Sequence, residues 1–388
     1  MNKIAVNSLA DLCRKNRLLN NAAQYTYLKI LPELFSLREA VRMDRSSDEI
    51  DVFGAGPLKI AFVCDEMTWL DFYPYSQAIF LSPVHWREQM DQFSPDLFFC
   101  ESAWSGNLCG WPDWRGRIYR NEELNFENRE PLLNILDYCH ARGIPTVFWN
   151  KEDPTFFTHP HYNFVDTALR FDVLLTTAEE CIPRYRALGH QQTYLLPFGV
   201  NTALFHPQEG VERMKRAVFA GSWFGDQPKR CEDTERLFDY VLDQGIPLDI
   251  YDRNHGAQGA AFQYPKKYQP FLRPGVPYPQ LAELLNQYEY AVNVNTVTDS
   301  RTMCSRRALQ LGACGLKIIG NRSPAMEQLH GLVVDERVQN GNIVRMHSVP
   351  EIILREHSAE SRFRTMLESV PHLEGALRRG CGAAVSSA

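Results

Sequence analysis

Residues 293–321, NVNTVTDSRTMCSRRALQLGACGLKIIGN, decide how the rest of the chain is read. They spell strand, polar loop, helix, small-residue turn and buried strand. The apolar run 290–294 gives way to Asn295, Thr296 and Asp299. A helix is then expected with Met303, Ala308, Leu309 and Leu311 on its apolar face and Arg301, Arg306, Arg307 and Gln310 on its polar ones. Ala313-Cys314-Gly315 supplies the stop, and a short strand follows at 316–319. A helix that starts just past a strand end aims free N–H groups and the positive end of its dipole at whatever binds there. Arginines add formal charge at this point, so the expected ligand carries phosphate.

The same rhythm extends in both directions. Toward the N-terminus, strands are expected at 58–64, 79–81, 97–100, 146–149, 173–176 and 193–196, with helices at 86–93, 131–142 and 179–188. A second series has strands at 217–220, 248–251, 290–294 and 332–334, with helices at 231–244 and 278–287. Strands that alternate with helices argue for parallel sheets covered on both faces. The expected domains are a helical segment and linker at 1–50, a Rossmann-like domain at 51–200, a second at 201–350, and a crossing helix and tail at 351–388. The first 45 residues are helical in pattern and offer an oligomer or partner surface, or simply a helix packed on the first domain.

Composition bounds the class. The chain has 388 residues, 44% of them apolar and 23% charged, ordinary values for a globular protein with a real core. A net charge of -6 argues against a nucleic-acid partner, whose footprint would be basic. No apolar run approaches the roughly 20 residues needed to span a bilayer, and MNKIAVNSLADLCRKNR lacks the apolar stretch of a signal peptide. A cytoplasmic protein is expected. The ten cysteines lack the close pairs of a zinc site and read as small buried hydrophobes. His159 and His161 have ligand-like spacing but no third ligand in view, so no metal is expected. No glycine-rich phosphate loop follows the strand at 58–64, which counts against dehydrogenases and kinases.

Phrases spread along the chain in one order carry a resemblance: FCESAW at 99–104, PTVFWNKEDP at 145–154, FAGS at 219–222, IYDR at 250–253, YQP at 268–270, and the SRR and ACG of the opening stretch. Together they resemble the GT-B glycosyltransferases, more narrowly the CgeB or spore-protein-like group related to teichoic-acid and polysaccharide biosynthesis enzymes. The resemblance implies an α/β GT-B architecture: two Rossmann-like doubly wound domains facing across a cleft, the first for the acceptor and the second for a nucleotide-sugar donor. It implies no cofactor beyond the nucleotide-sugar substrate. The implied acceptor is a glycan, a polyol-phosphate polymer or a lipid-linked sugar, and the last would bring the protein to the inner face of a membrane.

The resemblance also distributes roles. Ser222, Lys229 and Arg230 follow the FAGS strand end, where the family places a residue that neutralises phosphate; the ordinary alternative is a solvated loop pair. Arg306 and Arg307 match the paired arginines, and adjacent helical side chains diverge by about 100°, so one of the two is expected at the ligand. Thr302 and Ser305 are candidates for the diphosphate or sugar, Asp252 and Arg253 for the base, and Glu327 for ribose or sugar. Gln310 stands where the family carries a ribose-binding glutamate, and the partner acid would fall at Thr302, so neither acid is present. An amide still hydrogen-bonds a hydroxyl, as a neutral group.

Carboxylates crowd three strand ends of the first domain at Asp65-Glu66, Glu101 and Glu152-Asp153. Such positions suit a general base or an acceptor contact, and they equally suit caps and ion pairs. Glu101, Glu152 and Asp153 are the expected catalytic residues. The reaction expected is transfer of a sugar to a hydroxyl, without metal; retention at the anomeric carbon follows from the resemblance in the second domain alone. The alternatives are a nucleotide-sugar epimerase or hydrolase on the same fold, and a non-catalytic binding or scaffold module, which the missing acid pair would favour.

Overall fold

The structure is a computed structural model, and it describes residues 17–32, 50–108, 113–256, 262–371 and 373, with backbone only at 17 and 336–340. By internal contacts the chain divides into two units. The first comprises residues 1–176, 181–196 and 366–388; the second comprises 177–180 and 197–365. The expected linker and most of the N-terminal segment, the tail from 380, and Cys13, Cys109 and Cys381 lie outside the described residues.

The first unit opens with helix α1 (Arg17–Tyr25), which runs on through a wider turn at Thr26–Ile30. Its sheet is built from β1 (Lys59–Val63), β2 (Gln77–Phe80), β3 (Leu97–Glu101), β4 (Thr146–Asn150), β5 (Val173–Thr176) and β6 (Thr193–Leu195). All neighbouring pairs are parallel, in the order β2-β1-β3-β4-β5-β6. Every residue of β3 and β4 is buried, which is why these strands read as unbroken apolar runs rather than alternating ones. The helices are α2 (Glu66–Phe72), α3 (Trp86–Phe93), α4 (Glu130–Arg142), α5 (Phe164–Ala168) and α6 (Ile182–Ala187). Helix α2 was not expected; it buries Trp69 and Phe72 from a segment, EMTWLDF, whose acidic ends hide its apolar face.

The second unit contains β7 (Met214–Gly221), α7 (Pro228–Asp243), β8 (Leu248–Asp252), β9 (Leu272–Pro274), α8 (Leu281–Asn286), β10 (Tyr288–Asn293), α9 (Arg306–Ala313) and β11 (Lys317–Asn321). After these come α10 (Pro324–Glu327), β12 (Leu332–Asn340), β13 (Ile343–Ser348), α11 (Pro350–Glu356) and α12 (Ala359–Glu368). The sheet order is β12-β13-β11-β10-β7-β8-β9. From β9 to β11 the pairing is parallel, and β13 and β12 add an antiparallel hairpin at the far edge. Apolar clusters cover the two faces: Phe219, Phe238, Tyr268 and Val292 belong to one, Leu309, Leu311, Ile318 and Met326 to the other.

Two doubly wound α/β units are therefore present, as expected. Several local expectations need correction. Helix α9 begins at Arg306, so Arg301 and Met303 precede it, and Ser305 is its N-cap. Arg306 and Gln310, expected on polar faces, are buried. Lys229 and Arg230 are not in a loop; Pro228 opens α7 and puts them in its first turn. The expected loop around Glu327 contains the single turn α10. Hairpin strand β13 went unread although Val344-Arg345-Met346-His347 alternates apolar and polar residues.

Candidate functional site

In the second unit the expected ligand residues converge on the carboxyl ends of β7, β8 and β10. The strand order reverses between β7 and β10, and a doubly wound sheet opens its crevice at such a point. Arg230 spans it. From the first turn of α7 its Nη1 donates to the Val294 carbonyl at 3.2 Å and to Thr296 Oγ1 at 3.0 Å. Lys229 Nζ donates to Thr298 Oγ1 at 3.0 Å on the same loop. Arg307, in the first turn of α9, lies with its guanidinium 4.8 Å from the centre of the Phe219 ring on β7. A Cβ on Gly221 would come within 2.9 Å of that guanidinium, so the glycine makes room for it. Arg253 follows β8 directly. Ser222, just past β7, is buried.

The electrostatics are unusual for a resting protein. Burial and the charges of Arg230 and Arg253 push the Arg307 pKa down to about 9. Burial, with Arg253 adding repulsion, lowers Arg230 as well. Among the described residues neither Arg253 nor Arg307 makes a hydrogen bond or ion pair, and Arg230 has no carboxylate partner. The nearby carboxylate is Asp252, buried, accepting from the Asn254 amide at 3.0 Å and raised by burial. Tyr264, which donates to the Gly221 carbonyl at 3.2 Å, closes the group from below. Three guanidiniums thus come together with no carboxylate ion-paired to any of them among the described residues, a charge imbalance that a multiply charged anion would offset.

Other expected residues are occupied elsewhere. Thr302 Oγ1 donates to the Thr177 carbonyl at 3.0 Å and accepts from the Glu179 amide at 2.9 Å, which fixes the segment 177–180 instead of a sugar. Glu327 is held by Arg322 through bonds of 3.0 and 3.1 Å. Arg306 turns away from Arg307, as the helical offset requires, and lies 4.8 Å from the Phe198 ring. Gln310 Nε2 donates to Tyr278 Oη at 3.2 Å, one turn along α9. Ser305 Oγ donates to Asn293 Oδ1 at 3.0 Å, and its amide donates to Asn295 Oδ1 at 3.0 Å. The sequence reading missed this asparagine brace, in which Asn321 Oδ1 accepts from the Asn295 amide at 2.8 Å and orients the start of α9. Its signal is an asparagine at the end of each of β10 and β11, where an apolar run would otherwise continue.

In the first unit the strand order reverses between β1 and β3, and the crowded carboxylates stand there. Asp65, after β1, accepts from the amides of Trp104, Ser105 and Gly106 at 2.9, 3.0 and 2.8 Å. Burial opposes its charge, but Lys151 and these amides outweigh burial and hold the carboxyl below its ordinary range. Glu101 Oε1 accepts from Lys151 Nζ and from the Asp65 amide, both at 2.7 Å. Asp153 accepts from Thr176 Oγ1 at 2.6 Å, Asn150 Nδ2 at 2.9 Å and Tyr185 Oη at 2.9 Å. Both Glu101 and Asp153 are 0% exposed. Full burial counts against direct catalytic contact at both: Asp153 spends both oxygens on neighbouring side chains, whereas Glu101 uses Oε1 and leaves Oε2 buried without a hydrogen-bond partner among the described residues. Of the three expected catalytic residues Glu152 alone is partly open. It accepts from Trp104 Nε1 at 2.9 Å, and burial, with Asp65 and Glu101 adding to it against Lys151, pushes its carboxyl up to about 7.

Among the described residues no group of three or more His, Cys, Asp or Glu could hold a metal ion, and no helix is long and apolar enough to cross a membrane. No family model matches the sequence, and no curated protein matches it. Solved structures do. One is Anabaena Alr3699/HepE in complex with UDP-glucose, at 12% identity and TM-score 0.44, covering 85% of this chain and 100% of that one. A second is sucrose-phosphate synthase from Thermosynechococcus elongatus, at 13% identity and TM-score 0.38, covering 77% and 75%. A third is an alpha-glucosyltransferase in complex with UDP, at 12% identity and TM-score 0.42, covering 83% and 93%. What the present site can bind is read from its own side chains.

Proposed function

We propose that the protein is a glycosyltransferase that moves a sugar from a nucleotide-sugar donor to a hydroxyl acceptor. The observation that carries this is the cluster of Arg230, Arg253 and Arg307 at the switch point of the second unit, with no matching acids among the described residues. A leaving nucleoside diphosphate brings the negative charge that this cluster lacks. Its phosphates would accept from Arg307 and Arg230, with Lys229 at the rim and the first turn of α9 adding its dipole. From the resemblance we assign Asp252 and Arg253 to the base, Gln310 to a ribose hydroxyl, and Ser222 to the donor. Ser305, Thr302 and Glu327 support the site instead of touching the donor.

Stabilisation by side-chain cations makes a metal ion unnecessary for the departure of the diphosphate. In the first unit Glu152 is the acceptor-side carboxylate; with its carboxyl near 7 it is poised to take up a proton at neutral pH. Glu101 and Asp153 are positioning residues behind it. If the anomeric configuration is retained, the departing phosphate can take the proton of the acceptor hydroxyl, and no protein base is required. A role in cell-envelope polysaccharide synthesis, in the cytoplasm or at the inner membrane face, remains part of this proposal through the sequence resemblance alone.

The test is thermal stabilisation of the full chain by UDP, GDP, CDP, ADP and dTDP and their common sugars, each with EDTA or Mg²⁺. One nucleotide should raise the melting temperature equally in both conditions. No shift with any nucleotide would refute the donor site and favour a non-catalytic module; a shift that needs Mg²⁺ would refute metal independence.

A further inference from the structure

Glu152 is joined through Trp104 to a cluster of aromatic rings that the reading above does not use. Trp104, whose Nε1 donates to Glu152 Oε1 at 2.9 Å, has ring centroids 5.2 Å from Phe156, 5.2 Å from Tyr162, 5.5 Å from Phe164 and 6.0 Å from Tyr119. Tyr162 in turn lies 5.1 Å from Tyr119 and stacks on His159 at 4.7 Å and 27°. Phe164 is fully buried and anchors the group, but Trp104, Tyr119, Phe156, His159 and Tyr162 all keep part of their surface in solvent. Rings of this size gain most by full burial, so a cluster left partly open beside a carboxylate is a surface shaped for an amphipathic ligand.

The charges around it narrow the ligand. Asp65, Glu101 and Glu152 face a single lysine, Lys151, which bonds Glu101 and lies 3.8 Å from Asp65. Arg115, farther out, is spent on Ser105 Oγ at 3.3 Å and Asp113 at 3.6 Å. His161, at the margin, stands 3.3 Å from Glu123. A phosphate-bearing acceptor would meet an excess of carboxylates here. A pyranose would not: it has an apolar, weakly positive C–H face that suits the negative face of an aromatic ring, and hydroxyls that suit a carboxylate.

We propose that Trp104, Phe156, Tyr162 and Glu152 form the acceptor subsite, and that the acceptor is a neutral pyranose rather than a polyol phosphate. The sugar lies with its C–H face on the rings of Trp104 and Tyr162 and donates a hydroxyl to Glu152. This rests on the glycosyl-transfer reading, and it names the acceptor class that the reading leaves open.

Saturation-transfer NMR on the full chain tests it, with methyl glycosides of glucose, galactose and N-acetylglucosamine and with glycerol 3-phosphate as the anionic probe. UDP binding is measured on the same samples. At least one glycoside should bind with enhancement on the protons of one ring face, and glycerol 3-phosphate should bind at least about tenfold more weakly. Tyr162→Ala should weaken the glycoside about tenfold, and so should Trp104→Phe, which keeps the packing and deletes the bond to Glu152. Neither variant should alter UDP binding, and melting curves confirm that both fold. Failure of every glycoside to bind, preference for glycerol 3-phosphate, or glycoside binding indifferent to both variants would overturn the subsite, while UDP binding would still uphold the donor site. Absence of binding by UDP and equally by GDP, CDP, ADP and dTDP would overturn the donor site; glycoside binding lost in Tyr162→Ala would uphold the subsite even then.

Discussion

Arg307→Met should make the unliganded protein more stable and its nucleotide binding weaker, a pairing of effects that an ordinary structural arginine cannot give. Arg307 carries a guanidinium pushed down to about 9 by burial and by Arg230 and Arg253. Holding the charged form against a depression of that size costs at most about 5 kcal/mol. Arg307 is partly exposed, solvent screens the repulsion, and about 1–2 kcal/mol is the expected gain on removal. At pH 7 the group is charged in both folded and unfolded states, so the whole penalty is present there. It is relieved only as pH rises through about 9, where the folded state releases the proton first. Methionine keeps a contact with the Phe219 ring, so little packing is lost. A gain of 1–2 kcal/mol should raise the melting temperature by about 2–8 °C. The diphosphate loses a charge-assisted partner worth about 1.5–3 kcal/mol, or about 10- to 150-fold in affinity. Calorimetric titration with UDP and the other nucleoside diphosphates, beside thermal melts without ligand, reads both quantities. A lower melting temperature together with unchanged affinity would refute the reasoning and return Arg307 to a purely structural role.

Glu152→Gln should flatten part of the pH dependence of stability. A carboxyl raised from 4.5 to about 7 contributes stability that is full below 4.5 and lost as pH rises through 7, so the wild type should lose about 1–2 kcal/mol more than the variant between pH 5 and 8 in urea titrations; equal losses would count against the raised carboxyl. Glu327→Gln should leave nucleotide affinity within about twofold, because Arg322 already occupies both carboxylate oxygens; a larger loss would restore Glu327 to the donor site. Asp249→Asn should cost about 2–4 kcal/mol of stability at neutral pH, since Asp249 is buried under Arg216 at 2.7 and 2.8 Å, Arg273 at 3.1 Å and Tyr288 at 3.1 Å. Burial opposes its charge but Arg216 holds the carboxyl low, so this contribution is full above the ordinary carboxylate range and is lost as pH falls below it; the gap between the two proteins in melts should narrow steadily with acidification.

The strands were the most legible part of the chain. Runs such as KIAFV at β1, LFFCE at β3 and VLLT at β5 are apolar without alternation because both faces of a parallel strand are covered. Helices α3 and α4 were equally plain, since α3 carries an amphipathic pattern and α4 opens on Glu130-Pro131 and stops at Gly143 with φ of 66°. The start of α9 was read too early because Met303 and Arg301 continue its pattern, while the bonds that hold Ser300 and Thr302 in a loop come from residues some 120 positions away. Sequence pattern does not contain such partners.

The same limit divides the candidate site. Sequence by itself supplied the chemistry: arginines and a lysine after β7 and at α9, carboxylates after β1, β3 and β4, and the strand ends that bring each set to one edge of a sheet. Only the tertiary structure decided which of them stay free to act. Lys151 neutralises Glu101, Arg322 takes Glu327, and Thr176 and Tyr185 close over Asp153, whereas Arg253 and Arg307 meet Arg230 and form no ion pair among the described residues. The physical reason is that charge is a property of the residue, but its energy depends on distance and burial, and these are set by neighbours from other elements of the fold.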